Sequence, residues 1–348
     1  MNNFKKYSNV QRLGFGPAAR LAGVSARSRV RVLVGLVALA AAGIVIGVSL
    51  SGRDSPEAET QIKRGPPPLE LSILLRNDSE ARALRAAERE YDAGDAAAAR
   101  RSFQSLLKSD PKSVEAAVGA AVTAWPSGTL ERLRALVASH PDSALARLHL
   151  GLALYSAGDD TGAAAQWREA KRREPDTPSA LRADDLLHPN MAPGHPFFYP
   201  RFGAPPELAH LSPEAQLAAL ERDARRGGVD ANLLYGVALQ RIGRAVSARA
   251  AFARAVRLDP QSLPAQVADA VGRFDKAKPA ESFSRLGPLA RSHPRAAVVR
   301  FHLGLLLLWI RDVKDARIQL QKALDADPHG TYGKEAKTLL SRLEAIGT

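Results

Sequence analysis

Residues 236–260 read GVALQRIGRAVSARAAFARAVRLDP, and this stretch contains the pattern that decides the fold. Small residues stand at Gly236 and Ala248, the aromatic Phe252 follows four residues later, and Pro260 ends the stretch. Two antiparallel helices approach closely only where both present small residues, and proline stops a helix because it has no backbone N–H. The pattern therefore predicts a hairpin of two short helices that closes at Pro260.

The hairpin pattern returns along the chain at a fixed interval. Pro260, Pro294 and Pro328 are 34 residues apart, and the earlier pair Pro141 and Pro175 has the same spacing. A period of this length is typical of stacked helical hairpins, which need at least about three units to bury a continuous core. The spacing predicts an all-α solenoid.

The same pattern indicates the contacts inside each hairpin. We expect Gly151 on a first helix to lie against Ala163 on the second, with Trp167 filling the space between neighbouring hairpins. Gly158 and Asp159 stand between the two helices. Glycine is suited to the turn, and the aspartate side chain accepts hydrogen bonds from free backbone N–H groups of the second helix.

A larger duplication appears when the chain is compared with itself at a shift of 153 residues. Residues 149–152 and 302–305 both read HLGL, and similar matches continue along the shift. The chain therefore divides into two modules of three hairpins each. Closing helices near Pro178 to Leu187 and Lys334 to Ala345 would cover the apolar face of the last hairpin in each module, as solenoid ends require.

These units resemble the tetratricopeptide repeat, which has the same small–large–small pattern and a terminal proline. The resemblance implies a solenoid whose first helices line a concave groove that binds other proteins or peptides. Counted back from the prolines, the implied groove positions are Leu148, Leu152, Tyr155, Leu233, Val237, Arg241, Phe301, Leu305 and Trp309. Most of them are apolar, which favours an amphipathic helix or an extended hydrophobic segment as the ligand.

The groove positions have an alternative interpretation. A stripe of leucines at helical spacing is also typical of a buried core, and this alternative applies above all to Leu148, Leu152 and Leu305. His149 and His302 recur at equivalent places, where we interpret them as structural positions that both copies of the duplicated unit inherited.

The beginning of the sequence has the features of a membrane anchor. Val32 to Leu50 is 19 residues without a charge, which as a helix approaches the ~30 Å hydrocarbon core of a bilayer. Residues 1–31 contain seven basic and no acidic residues. The positive-inside rule then predicts a cytoplasmic tail over residues 1–31, a transmembrane helix over 32–50 and repeats outside the cytoplasm, as in a bacterial plasma membrane protein. A cleavable signal peptide is the alternative.

Two proline-rich segments separate the predicted domains. Residues 51–68 contain four prolines and are interpreted as a stalk before a first module over 69–187. Residues 188–212 contain six prolines and link it to a second module over 213–348. The linker also holds the aromatic residues Phe197, Phe198, Tyr199 and Phe202. Disordered segments are poor in aromatics, so we expect these rings to dock on the solenoid or to form a surface for a partner.

Composition excludes several function classes. The net charge is +13, of which the tail before the apolar stretch supplies a large part, so the repeats lack a basic stripe for nucleic acid. The chain has no cysteine, which excludes disulfides and thiol chemistry. No glycine-rich loop or nucleophile motif occurs, and no ligand spacing indicates a metal or cofactor. We therefore expect a non-enzyme.

The sequence thus predicts a membrane-anchored scaffold, or an assembly or chaperone-like factor, that binds proteins through a tetratricopeptide groove. Its layout is similar to that of bacterial anchored repeat proteins. Two alternatives stay open. One is a structural, self-associating subunit of an envelope complex, and the other is a non-catalytic partner of a cell-wall or cytochrome c maturation enzyme.

Overall fold

The computed structural model describes residues 64–345, and all the regular structure among them is helical. These residues form 15 α-helices and one 3-10 helix, with no β-strand among them. The predicted all-α solenoid is thereby confirmed. The chain divides between Leu187 and His188 into two compact units, here called the first module (residues 64–187) and the second module (residues 188–345).

The first module consists of three helical hairpins and a closing helix. In order, the helices are α1 (Ser79–Asp92), α2 (Ala96–Ser109), α3 (Val114–Val122), α4 (Thr129–Ser139), α5 (Ala144–Ser156), α6 (Asp160–Arg173) and α7 (Pro178–Leu187). The first helices of the hairpins, α1, α3 and α5, pack side by side, and α7 packs on α5 and α6. The predicted closing helix over Pro178 to Leu187 is therefore confirmed.

The second module repeats this order after one additional helix. The 3-10 helix Pro206–His210 is followed by α8 (Pro213–Arg226), α9 (Val229–Arg241), α10 (Ala245–Leu258), α11 (Leu263–Gly272), α12 (Ala280–Ser292), α13 (Ala297–Trp309), α14 (Val313–Ala326) and α15 (Thr331–Ala345). Helix α8 packs on α9, ahead of the first hairpin, and the repeat spacing gave no indication of it. The closing helix α15 begins at Thr331, three residues before the expected Lys334.

The turns inside the hairpins follow the predicted chemistry. The Asp159 side chain accepts a hydrogen bond of 2.8 Å from the backbone N–H of Gly162 and caps α6. Gly158, just before it, has φ 88°, a left-handed conformation that glycine adopts without steric cost. In the last hairpin the equivalent position is Arg311, with φ 62°.

Glycines of the first helices receive large side chains rather than small ones. A Cβ atom added to Gly151 would clash with the indole of Trp167. Phe252 lies between Gly236 of its own hairpin and Gly272 of the next, and a Cβ on Gly272 would lie 2.7 Å from its ring. Because these glycines have no Cβ, there is space for an aromatic ring to pack between neighbouring helices.

The expected contacts of Gly151 with Ala163 and of Gly236 with Ala248 are not the closest ones at these glycines. Ala163 and Ala248 are buried in their hairpins, but the atoms nearest to Gly151 and Gly236 belong to the aromatic rings four residues further along the second helix. The volume of an aromatic ring fills the space that glycine leaves.

The predicted cytoplasmic tail (1–31) and transmembrane helix (32–50) lie outside the described residues, as does the stalk up to residue 63. Within residues 64–345, no helix combines the length and the apolar character that crossing a membrane requires. The described end of the predicted stalk, residues 64–68, is not a free spacer, because Pro67 is buried in the first module.

Candidate functional site: two grooves that hold segments of the chain itself

In each module, a segment outside the helices that precedes the hairpins lies against their first helices and the closing helix. In the first module it is residues 64–73, here called the Pro-Leu segment. In the second module it is residues 189–202, the Pro-Phe segment. The surface that receives each segment is here called the groove of that module. Four of the nine groove residues that the sequence implies lie against these segments.

The Pro-Leu segment alternates between buried and exposed side chains. Pro67 and Leu69 are buried, whereas Pro66 and Pro68 are exposed. Leu69 and, further on, Ile73 belong to the hydrophobic core of the first module. Alternation with a period of two is the property of an extended chain that has one face against a surface. The segment is therefore bound through every second side chain.

Side chains of the first module also bind the backbone of this segment. The Tyr91 hydroxyl donates a hydrogen bond of 2.7 Å to the carbonyl oxygen of Pro67. The backbone N–H of Glu70 donates to Nε2 of His149 at 3.1 Å, across 79 residues of sequence. Because these contacts involve main-chain atoms, they recognise the extended conformation rather than a particular side chain.

A second set of polar contacts extends the binding along the segment. The N–H of Leu71 donates to Oε1 of Glu88 at 2.8 Å. The Nε–H of Arg182 donates to both carboxylate oxygens of Glu70, and each N···O distance is 2.9 Å. The hydroxyl groups of Ser72 and Ser179 are 2.6 Å apart. Helices α1 and α7 thus bind the segment from two sides of the groove.

The Pro-Phe segment is anchored mainly by an aromatic ring. Phe198 is 1 % exposed. Its ring stacks on His302 and meets Phe252 edge-on at a centroid distance of 5.9 Å. The indole N–H of Trp309 donates to the carbonyl of Gly194 at 3.0 Å. Large buried rings contribute strongly to stability, so this linker is an integral part of the second module.

The second module binds the backbone of its segment in the same manner. The Gln240 side chain accepts from the N–H of Phe198 at 3.0 Å and donates to the carbonyl of Pro196 at 3.2 Å. The N–H of Tyr199 donates to Nε2 of His302 at 2.9 Å. The two modules therefore share a carbonyl contact at a proline and an N–H contact to a histidine three residues later.

The groups that bind the backbone stand at equivalent positions of the duplication. His149 and His302 are 153 residues apart, and Tyr91 and Gln240 are 149 residues apart. The two shifts differ because Pro111 and Pro141 are 30 residues apart, so the second hairpin of the first module is four residues shorter than the usual 34. When the sequence is compared with itself at a shift of 153 residues, Tyr91 therefore does not align with Gln240.

Burial fixes the protonation state of both histidines. Nδ1 of His149 lies 2.9 Å from the Leu145 carbonyl, and Nδ1 of His302 lies 2.6 Å from the Val298 carbonyl. A carbonyl only accepts, so we infer that Nδ1 carries the proton and that Nε2 is free to accept. Burial lowers the pKa of each imidazole to about 4, which keeps both rings neutral near pH 7.

Other groove groups are also shifted by their surroundings. Burial raises the pKa of Glu88, although the hydrogen bond from the Leu71 N–H acts in the opposite direction. Burial also raises the pKa of Tyr91 to about 12, so its hydroxyl keeps the proton that it donates. In the second module, burial lowers the pKa of Arg241, and the nearby Tyr199 opposes this shift.

The nine predicted groove residues have two environments. Leu148, Leu152, Leu233, Val237 and Leu305 are buried in the cores. The remaining four face the chain's own segments: Tyr155 lies under the Arg64 guanidinium, Phe301 meets Tyr199 edge-on, Arg241 lies beside Tyr199, and Trp309 binds Gly194. The reason is that the segments cover the apolar face of the first helices, which would otherwise be exposed to water.

The linker aromatics have two environments. Phe198 is fully buried, whereas Phe197, Tyr199 and Phe202 are half-buried. The Tyr199 carbonyl accepts from the Tyr332 hydroxyl at 3.1 Å, which attaches the segment to the closing helix α15. Sequence reasoning named these aromatics but not their partners Gln240 and Tyr332, nor Glu88 and Tyr91 of the first module. Polar side chains on helices carry no periodic signal that distinguishes a groove contact from a solvated face.

The arrangement is suited to holding polypeptide. Within the region from 64 to 345, no three histidine, aspartate or glutamate side chains come together as ligands for a metal ion. What the grooves offer is a set of hydrogen-bond donors and acceptors, with a buried neutral histidine in each, that meet the backbone of the bound segment.

Comparison with known sequences finds a likeness to one repeat family. The family model described as tetratricopeptide repeat matches residues 84–132, 130–178 and 213–262. The first two matches lie within the first module, and the third extends from α8 to α10. No curated protein matches the chain.

Solved structures give a weaker likeness. A tetratricopeptide repeat protein from Parabacteroides merdae is 15% identical, with coverage of 76% of this chain and 98% of that chain and a TM-score of 0.30. A thermophilic repeat protein of Thermus thermophilus is 20% identical, with a TM-score of 0.26. The match covers 56% of this chain and 98% of that chain. The C-terminal part of a repeat protein from Cytophaga hutchinsonii is 14% identical, with a TM-score of 0.25. The match covers 73% of this chain and 98% of that chain.

The assignment of the repeats therefore rests on the family model and on the hairpin geometry, because none of the three TM-scores reaches 0.5. The three matches cover helices that pack on one another in sequence order. The tetratricopeptide repeat model thus matches segments of both modules.

Proposed function

We propose that this chain is a membrane-anchored, non-catalytic scaffold whose tetratricopeptide modules bind other proteins outside the cytoplasm, as an assembly or chaperone-like factor. The observation that carries the binding part is that each groove holds an extended polypeptide segment through its backbone, at His149 in one module and His302 in the other. Tetratricopeptide proteins generally act as scaffolds for protein interaction.

Backbone-directed binding is suited to clients that are extended or incompletely folded. A folded partner has already paired its backbone groups, whereas an extended chain still presents a free carbonyl and N–H at each residue. Aromatic and arginine side chains dominate binding where an interface exists, and Tyr155, Arg241 and Trp309 already contact the bound segments. The grooves therefore have the chemistry that an assembly factor needs.

The membrane part of the proposal rests on the sequence. Val32 to Leu50 has the length and composition of a spanning helix, and residues 1–31 carry seven basic and no acidic residues. This orientation would place the repeats on the outer face of the membrane.

Topology is tested by protease protection. In intact bacterial spheroplasts that express the full chain, added protease should digest the repeats and spare a tag fused ahead of Met1. The control is a cytoplasmic protein, which must survive in the same sample. Repeats that resist protease until the membrane is broken would overturn the topology.

Protein binding is tested by site-specific photocrosslinking in the same cells. A photoreactive residue in place of Tyr155, at the half-buried edge of the first groove, should give adducts with other proteins. The matched control is Ile318, which is 44 % exposed on α14, outside the grooves. Equal adducts at both positions would contradict a groove function, and adducts only with a second copy of the chain would favour the self-associating alternative.

A further inference from the structure

The two bound segments share a short chemical pattern. In the first module it is Pro67-Pro68-Leu69-Glu70, and in the second it is Pro196-Phe197-Phe198-Tyr199. Each has a buried proline, an intervening residue that is less buried, and a large buried apolar residue. The N–H of the fourth residue donates to a histidine in both cases. The common element is Pro-x-Φ, where Φ is a large apolar side chain. The residue after Φ is not proline, and its backbone N–H donates to the histidine.

The groups that bind this pattern are built into the fold and do not depend on the sequence of the segment. His149 is completely buried and is held by Leu145, so its Nε2 has a fixed direction. Tyr91 and Gln240 differ in chemistry, yet both donate to the carbonyl of the proline. Two different side chains that serve the same backbone atom indicate a site for the backbone of an extended Pro-x-Φ segment.

We propose that the groove of the first module is a binding site for an extended Pro-x-Φ segment of a partner protein, and that residues 67–70 are a tethered internal occupant which this segment displaces. This inference rests on the proposed protein-binding function and specifies the ligand class. The source of the ligand is another protein, because the site binds main-chain groups along an extended peptide.

The first groove is the better candidate for exchange because its internal segment buries no aromatic ring, although several polar side chains also bind it. Leu69 and Ile73 are its buried apolar anchors, and its ion pair from Glu70 to Arg182 is about one third exposed. In the second module, Phe198 is enclosed between His302 and Phe252, which leaves that segment much more firmly packed.

The covalent attachment of the internal segment sets the apparent affinity of this groove for a partner segment. An internal segment next to its groove has an effective concentration that reaches the millimolar range for short flexible connections. A partner segment must compete with it, so its apparent dissociation constant is the intrinsic one divided by the fraction of open grooves. A partner that presents several contacts, or a change that weakens the internal segment, would open the groove.

The experiment uses the full-length chain in detergent and a fluorescent synthetic peptide with the sequence of residues 64–76. Binding is followed by fluorescence anisotropy. The wild-type chain should bind the peptide weakly, because its own segment occupies the groove. The variant Leu69→Ser, which removes the internal apolar anchor, should bind the same peptide at least about tenfold more tightly, since more grooves are open.

Matched variants test whether the peptide enters the same groove. Adding Tyr91→Phe to Leu69→Ser removes one hydroxyl group, and the affinity should fall again by about fivefold, as the loss of one hydrogen bond predicts. A peptide that itself carries serine in place of leucine at position 69 should bind at least about tenfold more weakly than the natural sequence. Circular dichroism must show native helix content in each variant.

Glu70→Pro provides a second way to weaken the internal segment if Leu69→Ser does not fold, because it removes the N–H that His149 accepts. A folded variant of either kind that binds the peptide no more tightly than wild type overturns the inference, as does equal binding of a scrambled peptide. Such a result would leave the proposed function standing if Tyr155 still crosslinks to other proteins. Absence of those crosslinks together with tight peptide binding would overturn the proposed function instead.

Discussion

The ring of Phe198 stacks on the imidazole of His302, with their centroids 5.0 Å apart and their planes inclined by 20°. This contact joins a linker residue to a helix residue that lies 104 residues later in the chain. It also covers the face of a histidine that accepts a backbone hydrogen bond from the adjacent Tyr199. The linker therefore contributes to the stability of the second module.

Phe198→Ala should lower the free energy of unfolding of the second module by about 3 kcal/mol, because it leaves a cavity between His302 and Phe252. Urea denaturation checks the stability, and limited proteolysis should show faster cleavage within residues 188–212. The matched control is Phe197→Ala, at a half-buried position, which should have a clearly smaller effect. Equal losses for both variants would contradict the packing described.

Glu70→Gln should cost less than about 1 kcal/mol, because its ion pair with Arg182 is partly solvated. Leu69→Ala should cost about 2–3 kcal/mol by contrast, because it empties part of the core. Both are measured by urea denaturation. A double-mutant cycle with Arg182→Gln isolates the ion pair, and a coupling well above about 1 kcal/mol would mean that charge rather than apolar burial holds the segment.

Stability should fall as the pH drops below about 6.5 toward 4. His149 and His302 have pKa values lowered to about 4 in the folded protein, against 6.5 for an unperturbed histidine. The unfolded chain therefore takes up protons first, and the stability that the neutral rings contribute is complete above pH 6.5 and lost below it. The loss by pH 4.5 is on the order of 2–3 kcal/mol per histidine.

This pH dependence is checked by urea denaturation at pH 7.5 and pH 4.5. His149→Gln and His302→Gln should each reduce the difference between the two pH values, and the reductions should add because the residues lie in different modules. An unchanged difference in the double variant would show that other groups are responsible.

Gly236→Ala should destabilise the second module by about 1–3 kcal/mol, because its methyl group would overlap the ring of Phe252. The matched control is Gly287→Ala, also within a helix, where the nearest atom is the end of the Arg291 side chain at 3.7 Å. That change should be neutral or stabilising by up to about 1 kcal/mol through helix propensity. Thermal unfolding of the two variants should therefore shift in opposite directions or differ by several degrees.

Arg311→Gly should stabilise the last hairpin, because a non-glycine residue at φ 62° is in a costly left-handed conformation. That conformation costs about 1–2 kcal/mol, and the greater freedom of glycine in the unfolded chain offsets up to about 1 kcal/mol of the gain. The reciprocal change Gly158→Arg should be destabilising. A lower melting temperature for Arg311→Gly would show that the hydrogen bond of Arg311 to the Pro189 carbonyl outweighs the backbone effect.

The sequence allowed the hairpins to be predicted because their signals are local. A proline at a fixed interval marks the end of each unit, and Asp159 marks a helix start within three residues of the N–H that it caps. The closing helix over Pro178 to Leu187 follows from the same logic, since an apolar solenoid end must be covered. Helix α8 carries no repeat signal of this kind, and the repeat spacing could not predict it.

The occupied grooves could not be predicted because their contacts are distant in sequence. Glu70 and His149 are 79 residues apart, and Tyr199 and His302 are 103 residues apart. The repeat of His149 at His302 is visible as a pattern, but nothing local distinguishes an inherited structural histidine from one that binds a backbone. The sequence left the apolar groove positions open between a partner and the core, and in the structure segments of the chain itself lie against some of them.

The distance in sequence between the Pro-Leu segment and its groove has a consequence for biosynthesis. Ser72 is synthesised 107 residues before Ser179, whose hydroxyl it meets. At a translation rate of about 5–20 residues per second, the nascent segment waits on the order of ten seconds before its last contact residue exists. Every newly made copy thus passes through an interval in which the segment is present and its complete groove is not, so the segment cannot make all its contacts until α7 has been synthesised.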